Sequence, residues 1–211
     1  MRNHIRALAI VGMLAPNIAV AADLYNPAAQ EAPSIWRGLY LGGFAGGYWN
    51  SANSGGTTSE SVNGLVAGGH LGGQIEIDHI VLGIEGDLGA TSARGTDSFG
   101  GVTMTTELNS LASARGRFGF ATGRTLIYAT GGAAFLNGAI KLASTTQSAS
   151  VNVTGTGYVA GVGIEMKVSD NVSARLEGLY YGFNNISIAG YQTPINLNST
   201  VIRLGASYYL R

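Results

Sequence analysis

The chain contains no cysteine and only 4 prolines, and charged residues fill just 11% of its 211 positions. Without cysteine there is no disulfide framework, no CxxC redox centre and no thiolate metal site. Basic and acidic residues balance at 12 each, so there is no basic field to draw in nucleic acid. A long apolar run is also missing: no stretch reaches the ~18 to 20 residues that a spanning helix needs. Yet the 45% hydrophobic content is too high for a disordered chain. Glycine is abundant, at 33 residues. This argues against helices, because each interior glycine costs roughly 1 kcal/mol relative to alanine.

The opening segment, MRNHIRALAIVGMLAPNIAVAA, places Arg2 and Arg6 before an apolar stretch and closes on Ala19-Val20-Ala21. That pattern predicts a secretory signal peptide over residues 1–21. A short flexible arm is expected over 22–34, where Pro27 and Pro33 fall. Residues 35–211 form the remaining domain.

From Trp36 onward the hydrophobic pattern has period two, as strands require. Leu65, Ala67, Leu71, Ile75 and Ile77 oppose His70, Gln74, Glu76 and Asp78. Ile80, Leu82, Ile84, Leu88 and Ala90 oppose Glu85 and Asp87. In the run ASARGRFGFA, Ala112, Ala114, Phe118 and Phe120 oppose Ser113, Arg115 and Arg117, with Asn109 on the same face as the arginines. Tyr158 to Met166 alternates against Glu165 and Lys167, Val172 to Tyr180 against Arg175 and Glu177, and Ile202 to Leu210 against Arg203. In Leu39–Trp49 and Leu126–Leu136, glycine and alanine occupy both faces and leave the facing open.

These runs make eight candidate strands of about ten residues, the length of a tilted membrane strand. Short connections at Asp78-His79, ATGR and SDN alternate with four long ones rich in Ser, Thr, Asn and Gly. The expected fold is all-β: an eight-stranded antiparallel up-and-down transmembrane β-barrel with short periplasmic turns and four long external loops. A soluble secreted barrel also alternates, but it hides its apolar face. Here the polar face carries paired charge types and the other face is nearly uncharged, which favours lipid outside. Trp36, Tyr40, Trp49, Tyr158, Tyr180, Tyr181, Phe183, Tyr208 and Tyr209 lie near strand ends, as interfacial girdles do.

The polar faces hold Glu76, Glu85, Asp87, Arg115, Arg117, Glu165, Lys167, Arg175, Glu177 and Arg203, five acids and five bases. An eight-stranded interior is only wide enough for side chains, and buried charges must be paired. These residues are therefore expected to form an interior ion-pair network, with Glu85 and Asp87 as partners of Arg115 and Arg117. An ion-selective constriction is the alternative reading of the same residues.

No catalytic set emerges. His70 falls on the interior face, His79 in a short turn, and no GxSxG accompanies them. Glycine spacings near GxGxxG have no helix to follow, and no cluster has metal-ligand spacing. No cofactor is expected.

The stretches WRGLYLGGFAGG, LGIEGDLG, SARGRFGFATGRTLIYATGGAAF and GYVAGVGIEMKVSDNVSARLEGLYYGF, in this order, resemble the small outer-membrane β-barrel family of Gram-negative bacteria. That family is often labelled "porin family" and is related to the OmpA-type barrel. The resemblance implies an outer-membrane location and, for most members, no enzyme activity. Its relatives are described as surface antigens, envelope-stabilising proteins or haemin binders. The partners it implies are outer-membrane lipid, the assembly machinery during biogenesis, and an unknown surface ligand at the loops, where Tyr191 is a lone haem-ligand candidate. The chain ends Tyr208-Tyr209-Leu210-Arg211, departing from the family's usual terminal aromatic residue.

Overall fold

A computed structural model describes residues 35–50, 63–99, 102–143, 148–188, 191–193 and 197–210. The expected signal peptide and arm, and most of the first long connection, lie outside the described residues.

The strands are β1 (Gly38–Asn50), β2 (Asn63–Ile77), β3 (Ile80–Thr91), β4 (Arg94–Phe99), β5 (Val102–Thr122), β6 (Thr125–Ala143), β7 (Ser148–Lys167), β8 (Val172–Ile188), β9 (Tyr191–Thr193) and β10 (Leu197–Leu210). Eight of them pair antiparallel in sequence order, and β1 closes on β10 from Leu39↔Leu210 to Asn50↔Ser199. Closure leaves no sheet edge in lipid, where an unpaired backbone group is costly. The two short strands are pieces of the predicted loops. β4 continues β3 beyond a break at Ser92-Ala93 and pairs with upper β5, while β9 folds back on β8.

The register defines the ring's size. Successive partners lead from Gly38 through Gln74, Gly83, Arg117, Thr130, Gly161, Leu179 and Val201 back to β1 at Tyr48, a stagger of ten residues. With ~3.3 Å rise and ~4.8 Å strand spacing, eight strands so staggered tilt by about 40° and enclose a backbone cylinder about 8 Å in radius. Only side chains fit inside.

Turn chemistry sets the short end. Asp78 and His79 have φ of 48° and 71°, the pair of positive values that a two-residue type I′ hairpin demands. In the β5–β6 turn only Gly123 is positive, at 54°, as at the first position of a type II′ turn.

The outer wall is apolar. Leu65 and Leu71 are 70% exposed and Ile84 74%. Between Leu39 and Trp49 the tilted strand rises about 25 Å, the height of an outer-membrane apolar band. Trp49, Phe135, Tyr158 and Tyr180 are exposed at its loop-side edge, and Phe120 and Tyr208 at its turn side. The other expected girdle residues, Trp36, Tyr40, Tyr181, Phe183 and Tyr209, point inward and are buried. Their strand parity, not their nearness to a strand end, decides the side.

Strands β5, β6 and β7 run to 21, 19 and 20 residues, well past the band. Much of the expected loop GAIKLASTTQSASVNVTG is instead a hairpin, with Ala143 paired to Ser148. Its Thr and Val residues suit strands, and the neighbouring strand supplies the hydrogen bonds. A bulge between Leu108 and Ser110 reverses the phase of upper β5. Asn109, expected inside, is therefore exposed, and Leu108 is buried.

Above the band, Glu107 bridges exposed Arg94 at 3.2 Å and Lys141 at 2.6 Å, tying β4, β5 and β6 together. The hydrogen bond from Lys141 holds the Glu107 carboxyl below the usual carboxylate range, more than burial raises it. A carboxyl with a depressed value stabilises the fold above its unfolded value, and that contribution disappears as pH falls through the folded one. Side-chain carbon NMR should place the Glu107 midpoint below that of a free glutamate. In Lys141→Ala it should return toward the ordinary value; an unchanged midpoint would show that the bridge is absent in solution.

Two glycines on opposite faces differ in the room around them. An added Cβ at inward Gly163 would lie 2.5 Å from the Tyr128 ring, whereas outward Gly178 meets nothing within 4 Å. Gly163→Ala is expected to cost about 1 to 3 kcal/mol through overpacking. Gly178→Ala should be neutral or slightly stabilising, because alanine restricts the unfolded chain. Urea unfolding in lipid vesicles compares the two.

Candidate functional site

The chemistry-bearing side chains converge in the lumen, because alternate residues of every ring strand point there. Trp36, which is 0% exposed, lies at its turn end. The Trp36 indole N–H donates to the Gly123 carbonyl across the barrel at 3.1 Å, and its carbonyl accepts from Gln74 Nε2 at 2.7 Å. The Lys167 ammonium lies 2.9 Å from the centroid of the Tyr209 ring and 5.2 Å from that of Trp36. Glu76, expected within the ion-pair network, sits half-buried at this rim and accepts the Trp36 backbone N–H at 3.2 Å.

Above this floor lies an ionic storey centred on Glu85. Its Oε1 pairs with Arg115 Nη2, and its Oε2 with Arg175 Nη1 at 2.6 Å. Arg117 approaches at 3.5 Å and Arg203 at 3.8 Å, and the Tyr40 hydroxyl donates at 2.9 Å. Asp87 lies 3.0 Å from Arg115 and 3.4 Å from Arg203, and it accepts from Ser113 Oγ. Glu177 accepts from Arg203 Nε at 2.7 Å and neighbours Arg115 at 3.5 Å. Two aromatic faces add support: the Arg117 guanidinium sits 4.0 Å from the Tyr128 centroid, and that of Arg203 4.1 Å from Phe44.

Arg115 meets both Glu85 and Asp87, the partners expected from the sequence. Arg117 does not: its closest carboxylate is Glu165 at 2.6 Å, on β7, with Glu85 second at 3.5 Å. Barrel stagger accounts for this. From β5 to β7 the register path climbs toward the loop end, so the level position on β7 lies about two to three residues nearer the turn than Gly161. Glu165 is the first inward residue there with a side chain, and Ser173 and Tyr209 also donate to it.

Sequence reading missed a third storey. Toward the loop end the lumen is apolar, filled by Phe44, Tyr48, Val66, Leu111, Leu136, Val159, Leu179, Tyr181, Phe183 and Val201 among others. Glycine and alanine obscured the inward phase of β1 and β6 and so hid Phe44, Tyr48 and Leu136, whereas Val66, Leu111, Val159, Leu179, Tyr181, Phe183 and Val201 share the parity of the inward charges on their own strands. His70 lies between the ionic and apolar storeys, 4% exposed, with Nε2 2.9 Å from Ser207 Oγ. His79 sits at the β2–β3 turn against Phe120. Among the described residues, no group of three or more His, Asp or Glu side chains could hold a metal ion.

Comparison with known proteins places this closed, membrane-banded barrel. The family profile described as outer membrane protein beta-barrel domain matches residues 18–209. The chain belongs to that family. This outer-membrane barrel is 32% identical to the "25 kDa outer-membrane immunogenic protein" of Brucella abortus, over 90% of each chain. It is 32% identical to the "22 kDa outer membrane protein" of Rhizobium leguminosarum, over 85% of this chain and 83% of that one. Among solved structures it is similar in fold to neisserial surface protein A, with a TM-score of 0.50 and 13% identity, over 82% of this chain and 97% of that one. The protein is thus an outer-membrane β-barrel of the cell envelope, surrounded by membrane lipid.

Proposed function

We propose that this barrel is a non-enzymatic, non-conducting structural protein of the envelope that presents its long hairpins at the cell surface. The observation that carries the reading is the Glu85 cluster: one carboxylate held among four arginines spans the inside of a backbone cylinder about 8 Å in radius, where there is room only for side chains. The interior charges then act as a structural plug, each held by partners supplied from other strands. Against catalysis, the one Ser–His hydrogen bond among the described residues, Ser207 with His70, lies sealed among buried side chains. His70 Nδ1 meets no hydrogen-bonding group that would orient the ring as a base. Assembly machinery would handle the chain during biogenesis. The Ser- and Thr-rich hairpins would meet external partners, in keeping with the word "immunogenic" in the Brucella relative's name.

Planar-bilayer recording and liposome swelling test the plug. Refolded protein should give no steady current and no uptake of sugar-sized solutes. A large, stable conductance from single chains would overturn the reading and turn Arg115 and Arg117 into a selectivity filter.

A further inference from the structure

At the loop-side mouth, above the apolar storey, the barrel holds a partly open cavity of about 160 Å³. Its walls are mostly aliphatic, with Leu108, Leu136, Val153 and Ile186 among them; the polar residues of the lining are Tyr48 and Asn50 on β1 and Thr106 and Glu107 on β5, the Glu107 carboxylate being taken up by Arg94 and Lys141. The Tyr48 hydroxyl is already engaged, 2.6 Å from Ser199 Oγ. Asn50 is only 6% exposed, and its side-chain carbonyl Oδ1 has no hydrogen-bond partner. A buried carbonyl without a donor is costly, and native proteins rarely keep one unless something fills the place.

The geometry points to a binding site for a small apolar molecule of one ring, or of similar bulk, that carries a single hydroxyl or N–H donor for Asn50 Oδ1. Size, wall and polar atom each contribute to that assignment. Apolar cavities near 150 Å³ stay dry and take up a molecule the size of benzene. A mostly apolar wall with a few placed polar groups is the usual construction of a small-molecule pocket, and barrel mouths are a common place for one. A porphyrin is several times too large. The ionic storey lies below the cavity, so a molecule entering from the loop side would be held there and not passed through. The inference does not depend on the lumen being closed to ions, since binding and conductance are read separately.

Fluorine NMR titration of the refolded full-length barrel in dodecyl maltoside tests this with two probes, 4-fluorophenol and fluorobenzene, with empty micelles as the reference. Heat-modifiable gel migration confirms that each variant is folded. Wild type should bind 4-fluorophenol saturably and about tenfold more tightly than fluorobenzene, the ratio expected of one buried hydrogen bond. Asn50→Leu keeps the bulk but removes the acceptor, so 4-fluorophenol should weaken about tenfold while fluorobenzene is retained. Val153→Phe fills the cavity and should abolish both. No saturable binding of either probe to wild type overturns the site. Binding that survives Val153→Phe places it elsewhere on the protein and also overturns it. A probe ratio unchanged by Asn50→Leu overturns the assigned hydrogen bond.

Discussion

Glu85→Ala is expected to lower the unfolding free energy by about 3 to 5 kcal/mol, the cost of removing one partner from a buried ion cluster. Glu85 faces Arg115, Arg117, Arg175 and Arg203, so its loss leaves four guanidinium groups with less negative charge in a space that excludes water. The barrel cannot relax by exposing them, because the outer wall is in lipid. Glu85→Gln, which keeps the shape and one acceptor oxygen, should fall between alanine and wild type. Adding Arg115→Ala to Glu85→Ala should recover part of the loss, since the two share a network and their effects do not add. Exchanging Glu177 and Arg203 together for apolar residues of similar volume should cost less than Glu85→Ala, because two opposite charges leave together, although Arg115 and Asp87 each lose a neighbour. Urea unfolding in lipid vesicles measures all of these. If Glu85→Ala is as stable as wild type, the arginines are solvated and the lumen is not a sealed plug.

The ring was legible in the sequence wherever charged residues alternate with large apolar ones. LGIEGDLG and ASARGRFGFA could face only one way in a membrane, and in the structure Glu85, Asp87, Arg115 and Arg117 do point inward. Legibility failed for three physical reasons. Parity is silent when both neighbours are small, which hid the inward phase of β1 and β6 and with it Phe44, Tyr48 and Leu136 of the apolar storey. Phase is lost at a bulge, which put Asn109 outside. Partner choice inside a barrel depends on stagger, a property of the closed ring and not of adjacent strands, so Glu165 could not be matched to Arg117 from their separation in the chain. Polar composition also misled at the loop end. Thr103, Thr105, Ser150 and Asn152 suggested loop, yet each lies in a strand of the projecting hairpin.

Opening the lumen to ions should require changes in two storeys at once. The ionic and apolar storeys should block conduction by different means. An ion crossing the first must displace paired side chains, and an ion in the second must shed water among Phe44, Leu179 and Tyr181, the kind of apolar constriction that gates by dewetting. The barriers stand in series, so the taller one sets the current. Arg115→Ser with Glu177→Ser thins the ionic storey alone, and Phe44→Ser with Tyr181→Ser the apolar one alone. Each pair should stay silent in planar-bilayer recording even where stability falls. All four changes together should produce resolved single-channel steps. Trp36→Ala should add to the current only in that fourfold background, since the floor matters only once a path reaches it. Current from the ionic pair alone would show that the apolar storey is hydrated in the membrane. Silence of the fourfold variant with Trp36→Ala, in protein that still shifts on unheated gels, would show that side chains repack across the gap.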